Sequence, residues 1–233
     1  MSAYCVSRCS TARDIGLGHP LTWSIWPGWP IFAVLRHGCR AVERSQLHGP
    51  DEEIDLHVLF VCTGNICRSP IAERLSAAHG VHRGARDFVA SSAGTRAVIG
   101  HPIHPDAALV LESLGGDGSD FAARQLTPKI AAGADLVLTM TRAQRETVLE
   151  LAPQMLHRTY TLREAARLAI ECNAHTVADL CELRSQLAAD ESFDIVDPVG
   201  QDAEVFSMVG SKIADLLPPV LEVVWRTSAC TSG

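Results

Sequence analysis

Between two apolar stretches runs Cys62-Thr-Gly-Asn-Ile-Cys-Arg68-Ser69-Pro70, and each residue type in it suits the capture of an oxyanion. A chain that bends into the N-terminus of a helix aims successive backbone N–H groups at one point, which is how a phosphate is held. Gly64 is expected to supply the positive φ that such a bend needs, and Asn65 tolerates it. Arg68 offers a planar fork of donors matched to two phosphate oxygens. Cys62 stands at the bottom of this cradle. A thiol attacks as its anion, and a helix N-terminus and an arginine both favour that anion. The Ser69 hydroxyl adds one hydrogen bond to the sulfur. The implied chemistry is attack by a thiolate on a tetrahedral oxyanion.

The flanking sequence supplies the elements that must position this loop. Leu56 to Val61 reads as a buried strand, and Ser69-Pro70 as the N-cap and first residue of a helix that Gly80 stops. Phe88 to Ser91, Ala134 to Leu138 and Arg158 to Tyr160 read as further strands. Helices are expected over Asp106 to Leu114 (closed by Gly115-Gly116), over Arg142 to Leu151, and as two runs within 162–188. A last helix carries Val205, Phe206, Val209, Ile213, Leu216 and Leu217 on one stripe, and Pro218-Pro219 should break or kink it. Strands alternating with helices predict an α/β fold with a mostly parallel sheet covered on both faces. The loop then lies at the C-terminal edge of that sheet, where such folds bind ligands.

Expulsion of an alcohol or phenol from a phosphate ester also needs a proton donor from another element. Such donation is worth about 10²–10⁴ in rate. Asp190, Glu191, Asp194, Asp197 and Asp202 crowd one segment. Spacing favours Asp197 only slightly, because Pro198 restricts its backbone to an extended conformation.

With these residues in view, the chain resembles the low-molecular-weight protein tyrosine phosphatases from Leu56 to Trp225. The resemblance rests on Val61 to Pro70 and Ser92-Ala-Gly-Thr95. Arg124-Gln125, Leu136-Val-Leu-Thr-Met140 and Asp197-Pro198 support it. It implies a three-layer fold with a central four-stranded parallel sheet, and hydrolysis of phosphotyrosine in a protein substrate through a cysteinyl-phosphate intermediate. In that resemblance Cys62 matches the nucleophile, Arg68 the phosphate-binding arginine and Asp197 the general acid. Thr63, Gly64, Asn65, Ile66, Cys67 and Ser69 line the phosphate, while Asn65, Ser69 and Ser92 form the polar network that holds the loop open. Cys67 is similar to a second cysteine that in relatives forms a reversible disulfide with the nucleophile. No cofactor or metal is implied.

Three positions depart from the pattern. Val199-Gly200 follows Asp197-Pro198 where an aromatic is usual, and Arg96-Ala-Val-Ile99 replaces another aromatic wall. Phe121 stands where the family has a histidine of the polar network. Other readings of the same loop are a protein-arginine phosphatase, in which a Thr replaces Ile66, an arsenate reductase, and an inactive phosphoanion-binding module. The arsenate reading needs redox cysteines that Leu138 to Leu156 lacks.

Composition agrees with an enzyme. The 233 residues carry a net charge of −7 and 47% hydrophobic residues, enough for a sizeable core and contrary to nucleic-acid wrapping. No apolar run approaches the ~20 residues needed to cross a bilayer, so no membrane partner is expected. The eight cysteines are too sparse for a disulfide scaffold, so a cytoplasmic setting is expected. Residues 1–55, with Trp23, Trp26 and Trp29 among Pro20, Pro27 and Pro30, read as a poorly ordered extension. Residues 56–226 read as the catalytic domain of a monomer or weak homodimer, and 227–233 as a tail. His101 and His104, three apart, could ligate a metal, but no nearby acid or Cys completes a set and they read as surface residues, while Cys172, His175 and Cys181 fit no standard zinc spacing and read as packing residues.

Overall fold

A computed structural model of the chain describes residues 56–84, 88–187 and 194–231. The expected N-terminal extension, and Asp190 and Glu191, lie outside them. Strands β1 (Leu56–Cys62), β2 (Phe88–Gly94), β3 (Leu136–Thr139) and β4 (Thr159–Thr161) form one four-stranded sheet in the order β2-β1-β3-β4, with every pair parallel. Crossovers run through α1 (Arg68–Arg83), through α2 (Pro105–Ser113) and α3 (Pro128–Ala132), and through α4 (Arg142–Leu151). Helices α5 (Leu162–Glu171), α6 (Val177–Leu183) and α7 (Ala203–Thr231) complete the element order.

Alternation along β1 sets the layers. Val58, Phe60 and Cys62 face a core shared with α1, α2, α5 and α7, while Leu59 and Val61 face a smaller core with Ala131 of α3 and Val148 of α4. This is the three-layer α/β arrangement, with both sheet faces covered. Because the chain leaves β1 first to β2 on one side and later to β3 on the other, the C-terminal end of β1 lies at the switch point of the sheet. The loop after Cys62 opens there.

Three local expectations are corrected. Gly80 lies inside α1, where an added Cβ would sit 3.0 Å from the Phe88 ring; Gly84, left-handed at φ 69°, ends the helix. Ser69 is not the N-cap: that position is Cys67, which makes no side-chain cap bond, and the serine hydroxyl is turned to the loop. Pro218-Pro219 does not break α7, which runs on to Thr231 through the residues expected to begin a tail. Each proline costs about 3 kcal/mol in a helix interior. Beyond the pair, Val220, Leu221, Val223 and Val224 are buried, at about 1.5–3 kcal/mol per side chain, and hold the helix in place. No helix among the described residues is long and apolar enough to cross a membrane.

The end of β2 packs against the loop with no room to spare. A Cβ added at Gly94 would lie 2.6 Å from the Thr63 carbonyl oxygen and 3.0 Å from Ala97 Cα, both backbone atoms. Gly94→Ala is therefore expected to destabilise the fold by about 1–3 kcal/mol and to lower activity further by displacing Thr63. Denaturant unfolding and turnover on an aryl phosphate check this; an unchanged midpoint and rate would show that the two segments can separate freely.

Candidate active site

Thr63 to Cys67 links β1 to α1, and a second segment, Thr95 to His104, determines which way its peptides face. The carbonyl oxygens of Cys62, Thr63, Gly64 and Ile66 accept from the N–H groups of Thr95, Arg96, Val98 and His104 at 2.9, 2.9, 3.0 and 2.7 Å. In a trans peptide the N–H points opposite to the C=O. With those carbonyls turned outward, the N–H groups of Thr63, Gly64, Asn65 and Cys67 turn to the inside of the loop. One of them, Asn65 N–H, lies 3.3 Å from Cys62 Sγ. The left-handed residue of the bend is Asn65 at φ 56°; Gly64 does not take the positive φ expected of it. Asparagine tolerates that region because its side chain can bond locally, and here the side chain does so on every side.

The Asn65 amide donates to Ser69 Oγ at 3.0 Å and to Ser92 Oγ at 2.7 Å, and its oxygen accepts from Arg124 N–H at 2.9 Å. Ser69 Oγ lies 2.9 Å from Cys62 Sγ. That oxygen accepts from Asn65 and, toward a thiolate, has its own proton to donate to the sulfur. Ser92 in turn donates to Glu73 Oε2 at 2.5 Å. The expected residues Cys62, Asn65, Ser69 and Ser92 are thus joined in one buried network.

Arg68 is 3% exposed. Its Nη1 donates to Ile195 O at 3.0 Å and its Nη2 to Asp197 Oδ2 at 2.5 Å, while Nε has no partner among the described residues. A buried guanidinium whose Nε meets no acceptor is suited to take an incoming oxyanion. The acidic segment is sorted by these contacts. Asp194 accepts from Arg142 N–H at 2.8 Å at the start of α4, Asp202 accepts from Val205 N–H at 3.1 Å at the start of α7, and among the described residues of this segment only the Asp197 side chain meets Arg68. Asp197 is about half exposed at the mouth of a cleft of about 470 Å³ that Thr63, Arg68, Arg96, Gln144 and Val196 help to line.

Cys67 is buried, and burial first, then the neighbouring Cys62 and Asp197, push its thiol up to about 12. It therefore stays protonated at neutral pH. Ile66 is partly buried, whereas Val98, Ile99, Val196 and Val199 stand exposed, and of these four Val196 lines the cleft. His104 stacks on Phe206, and among the described residues no group of three His, Cys, Asp or Glu is placed to hold a metal ion.

Sequence reasoning missed Glu73, Gln144 and the bonds by which the Thr95–His104 segment orients the loop. Glu73 lies one helical turn beyond Ser69, a spacing that puts both on one face of α1. Gln144 closes the capping box of α4 with Thr141, a Thr-x-x-Gln signal, and its amide also donates to Thr63 Oγ1 at 3.0 Å. The long-range bonds from Thr95 to His104 leave no local signature.

A thiol ringed by inward N–H groups, between a parallel strand and a helix that begins with a buried arginine, is an arrangement suited to holding an oxyanion. Comparison with known proteins agrees. The family described as low molecular weight phosphotyrosine protein phosphatase matches residues 57–170. A probable low molecular weight protein-tyrosine-phosphatase, EpsP of Ralstonia nicotianae, is 34% identical over 113 residues, which cover 48% of this chain and 74% of that relative. The crystal structure of the low molecular weight protein tyrosine phosphatase from T. tengcongensis superposes with a TM-score of 0.57 at 30% identity, covering 72% of this chain and 98% of that one. An arginine phosphatase, YwlE of Geobacillus stearothermophilus, superposes at 0.56 with 26% identity, covering 72% and 91%. The chain belongs to the low-molecular-weight protein-tyrosine-phosphatase family and is a phosphoric monoester hydrolase.

The Asp197 carboxylate occupies a guanidinium donor that an oxyanion would use. Asp197→Asn should therefore bind orthovanadate more tightly, by a few-fold, as suits a half-exposed pair worth about 1 kcal/mol or less. Competitive inhibition constants check this, and weaker binding in the variant would show that Asp197 helps to hold the anion.

Proposed function

We propose that the chain hydrolyses phosphotyrosine in proteins through a cysteinyl-phosphate intermediate, with Cys62 as nucleophile, Arg68 as phosphate clamp and Asp197 as general acid. The observation that carries this reading is the buried, unpartnered Nε of Arg68 beside a loop whose N–H groups turn inward around Cys62. In the reading, three phosphate oxygens take the loop N–H groups and the Arg68 fork. The Cys62 thiolate forms the S–P bond as the P–O bond to tyrosine breaks. Asp197, displaced from Nη2 by the phosphate, takes up a proton from solvent and gives that proton to the leaving oxygen. It then takes a proton from the water that cleaves the S–P bond, releasing phosphate and restoring the thiolate.

The apolar side chains of Ile195 and Val196 in the cleft wall, with the partly buried Ile66 in the loop, support an apolar leaving group. A phosphoarginine substrate is the second reading, because Thr63, Thr141, Gln144 and Asp194 make part of the cleft wall polar. Turnover on phosphotyrosine and phosphoarginine decides between them, and the faster substrate names the class. The same proposal takes residues 56–226 as the catalytic unit in a cytoplasmic setting, in keeping with the free Cys62, Cys67, Cys172 and Cys181. A chain beginning at Asp55 should retain the parental rate.

Cys62→Ser should abolish turnover while orthovanadate still binds, and residual hydrolysis above a few per cent would exclude the covalent route. Alkylation at neutral pH should mark Cys62 and spare the protonated Cys67. Asp197→Asn should slow phosphotyrosine hydrolysis by about 10²-fold or more. It should cost far less on an aryl ester with an acidic phenol, whereas Asp194→Asn and Asp202→Asn should match the parent on both. Leaving-group dependence in either of those variants would move the acid away from Asp197.

A further inference from the structure

We propose that Glu73 is a positioning residue for the nucleophile, acting through Ser92 and Asn65. The inference rests on the role of Cys62 proposed above. Its starting point is the direction of each proton in the network. Arg124 N–H can only donate, so Asn65 must turn Oδ1 toward it and Nδ2 toward the serines. Both serine oxygens then accept from Asn65. Each serine has one proton left, and each has one place to put it: Ser69 on Cys62 Sγ, and Ser92 on Glu73 Oε2.

Glu73 is the terminus of this chain of bonds. It projects from α1 one turn after Ser69 and is 17% exposed, with Arg74 Nε at 3.7 Å from its other oxygen. Phe121, at the position where the resemblance expects a histidine, offers no donor or acceptor. The Arg74 guanidinium lies over the Phe121 ring, 5.6 Å from its centre. This chain therefore ends its polar network on an acid of α1 itself. By taking the Ser92 proton, Glu73 keeps Ser92 Oγ an acceptor for Asn65. That bond helps to hold Asn65 at φ 56°, and Asn65 is what directs the Ser69 proton to sulfur.

Two roles for Glu73 predict opposite signs, which makes the proposal testable. As a bare negative charge, its removal would make a nearby thiolate easier to form. As a positioning group, its removal loosens the Ser69 hydrogen bond and makes the thiolate harder to form. The probe is iodoacetamide, with the labelled residue located by mass spectrometry and the rate followed against pH, beside kcat and KM on an aryl phosphate. Glu73→Ala should lower kcat about tenfold, the size of one charge-assisted hydrogen bond, leave KM nearly unchanged, and raise the pH midpoint of Cys62 alkylation. Ser92→Ala should do the same, and the Glu73→Ala/Ser92→Ala pair should be no worse than Ser92→Ala alone. Glu73→Gln, whose amide oxygen still accepts from Ser92, should restore most of both readouts. If the alanine variant does not fold, Glu73→Leu, of similar volume, replaces it. A midpoint that falls, additive losses in the pair, or no rescue by glutamine would each overturn the proposal. If the parent stays active after Cys62 is labelled, it is the underlying nucleophile assignment that fails.

Discussion

The site depends on a constraint imposed by peptide planarity. Five residues cannot present an inward array of N–H groups unless their carbonyls face outward and find donors there. Those donors come from Thr95, Arg96, Val98 and His104, in the segment that leaves β2. That segment is seated in turn by Gly94, whose N–H donates to Arg124 O at 2.9 Å and whose carbonyl accepts from Leu126 N–H at 2.8 Å. The loop is therefore shaped from outside, by the neighbouring strand's continuation. Parallel pairing of β1 with β2, with Cys62 opposite Gly94, places the two segments in register for this. An anion entering the loop meets donors already oriented, so little of its binding energy is spent on reorganisation.

Arg68 poses the complementary problem. A guanidinium that is 3% exposed would be unstable with all its donors unmet. Ile195 O and Asp197 satisfy two of them without a ligand. The Ile195 contact is independent of any anion, and it is reinforced where Ile195 N–H donates to Met140 O at 2.8 Å. The segment bearing Asp197 is thus tied to both the arginine and the end of β3. This tie explains how an acid far away in sequence is brought to the mouth of the cleft. It also leaves the Asp197 carboxylate as the one contact to Arg68 that an oxyanion can replace, since it is half exposed.

Much of this was legible in the sequence, and the reason differs from element to element. The loop string, the strand before it and the helix after it are local signals, so Cys62, Arg68, Asn65 and Ser69 could be named and their neighbourhood drawn. The range of α4, Arg142–Leu151, was also legible, with Pro153 just beyond its end. Glycine and proline misled where tertiary contacts override local preference. Gly80 serves a close approach to Phe88, and Pro218-Pro219 is carried by the aliphatic residues buried after it. Gly64 looked like the flexible residue of the bend, yet the strained φ falls on Asn65, whose four-way bonding could not be read without knowing that Ser92 and Arg124 lie beside it. Spacing favoured Asp197 over Asp194 and Asp202 only slightly and the family resemblance further, and the structure adds that each of the other two accepts from an N–H at a helix start.

The departures from the family pattern fall into two kinds, and the structure treats them differently. Where a network member is replaced, at Phe121, the proton that would have needed a partner has one in Glu73, so the polar core about Cys62 closes without the missing ring. Where wall residues are replaced, at Ile99 and Val199, nothing fills in for them, and both side chains stay 68% and 50% exposed. The first kind of change is bound by the cost of a buried unsatisfied polar group, about 1–3 kcal/mol. The second is not, because an exposed aliphatic side chain violates no such rule. The hydrogen-bonded network about Cys62 and the exposed aliphatic side chains of Ile99 and Val199 are therefore held to different physical rules within one fold.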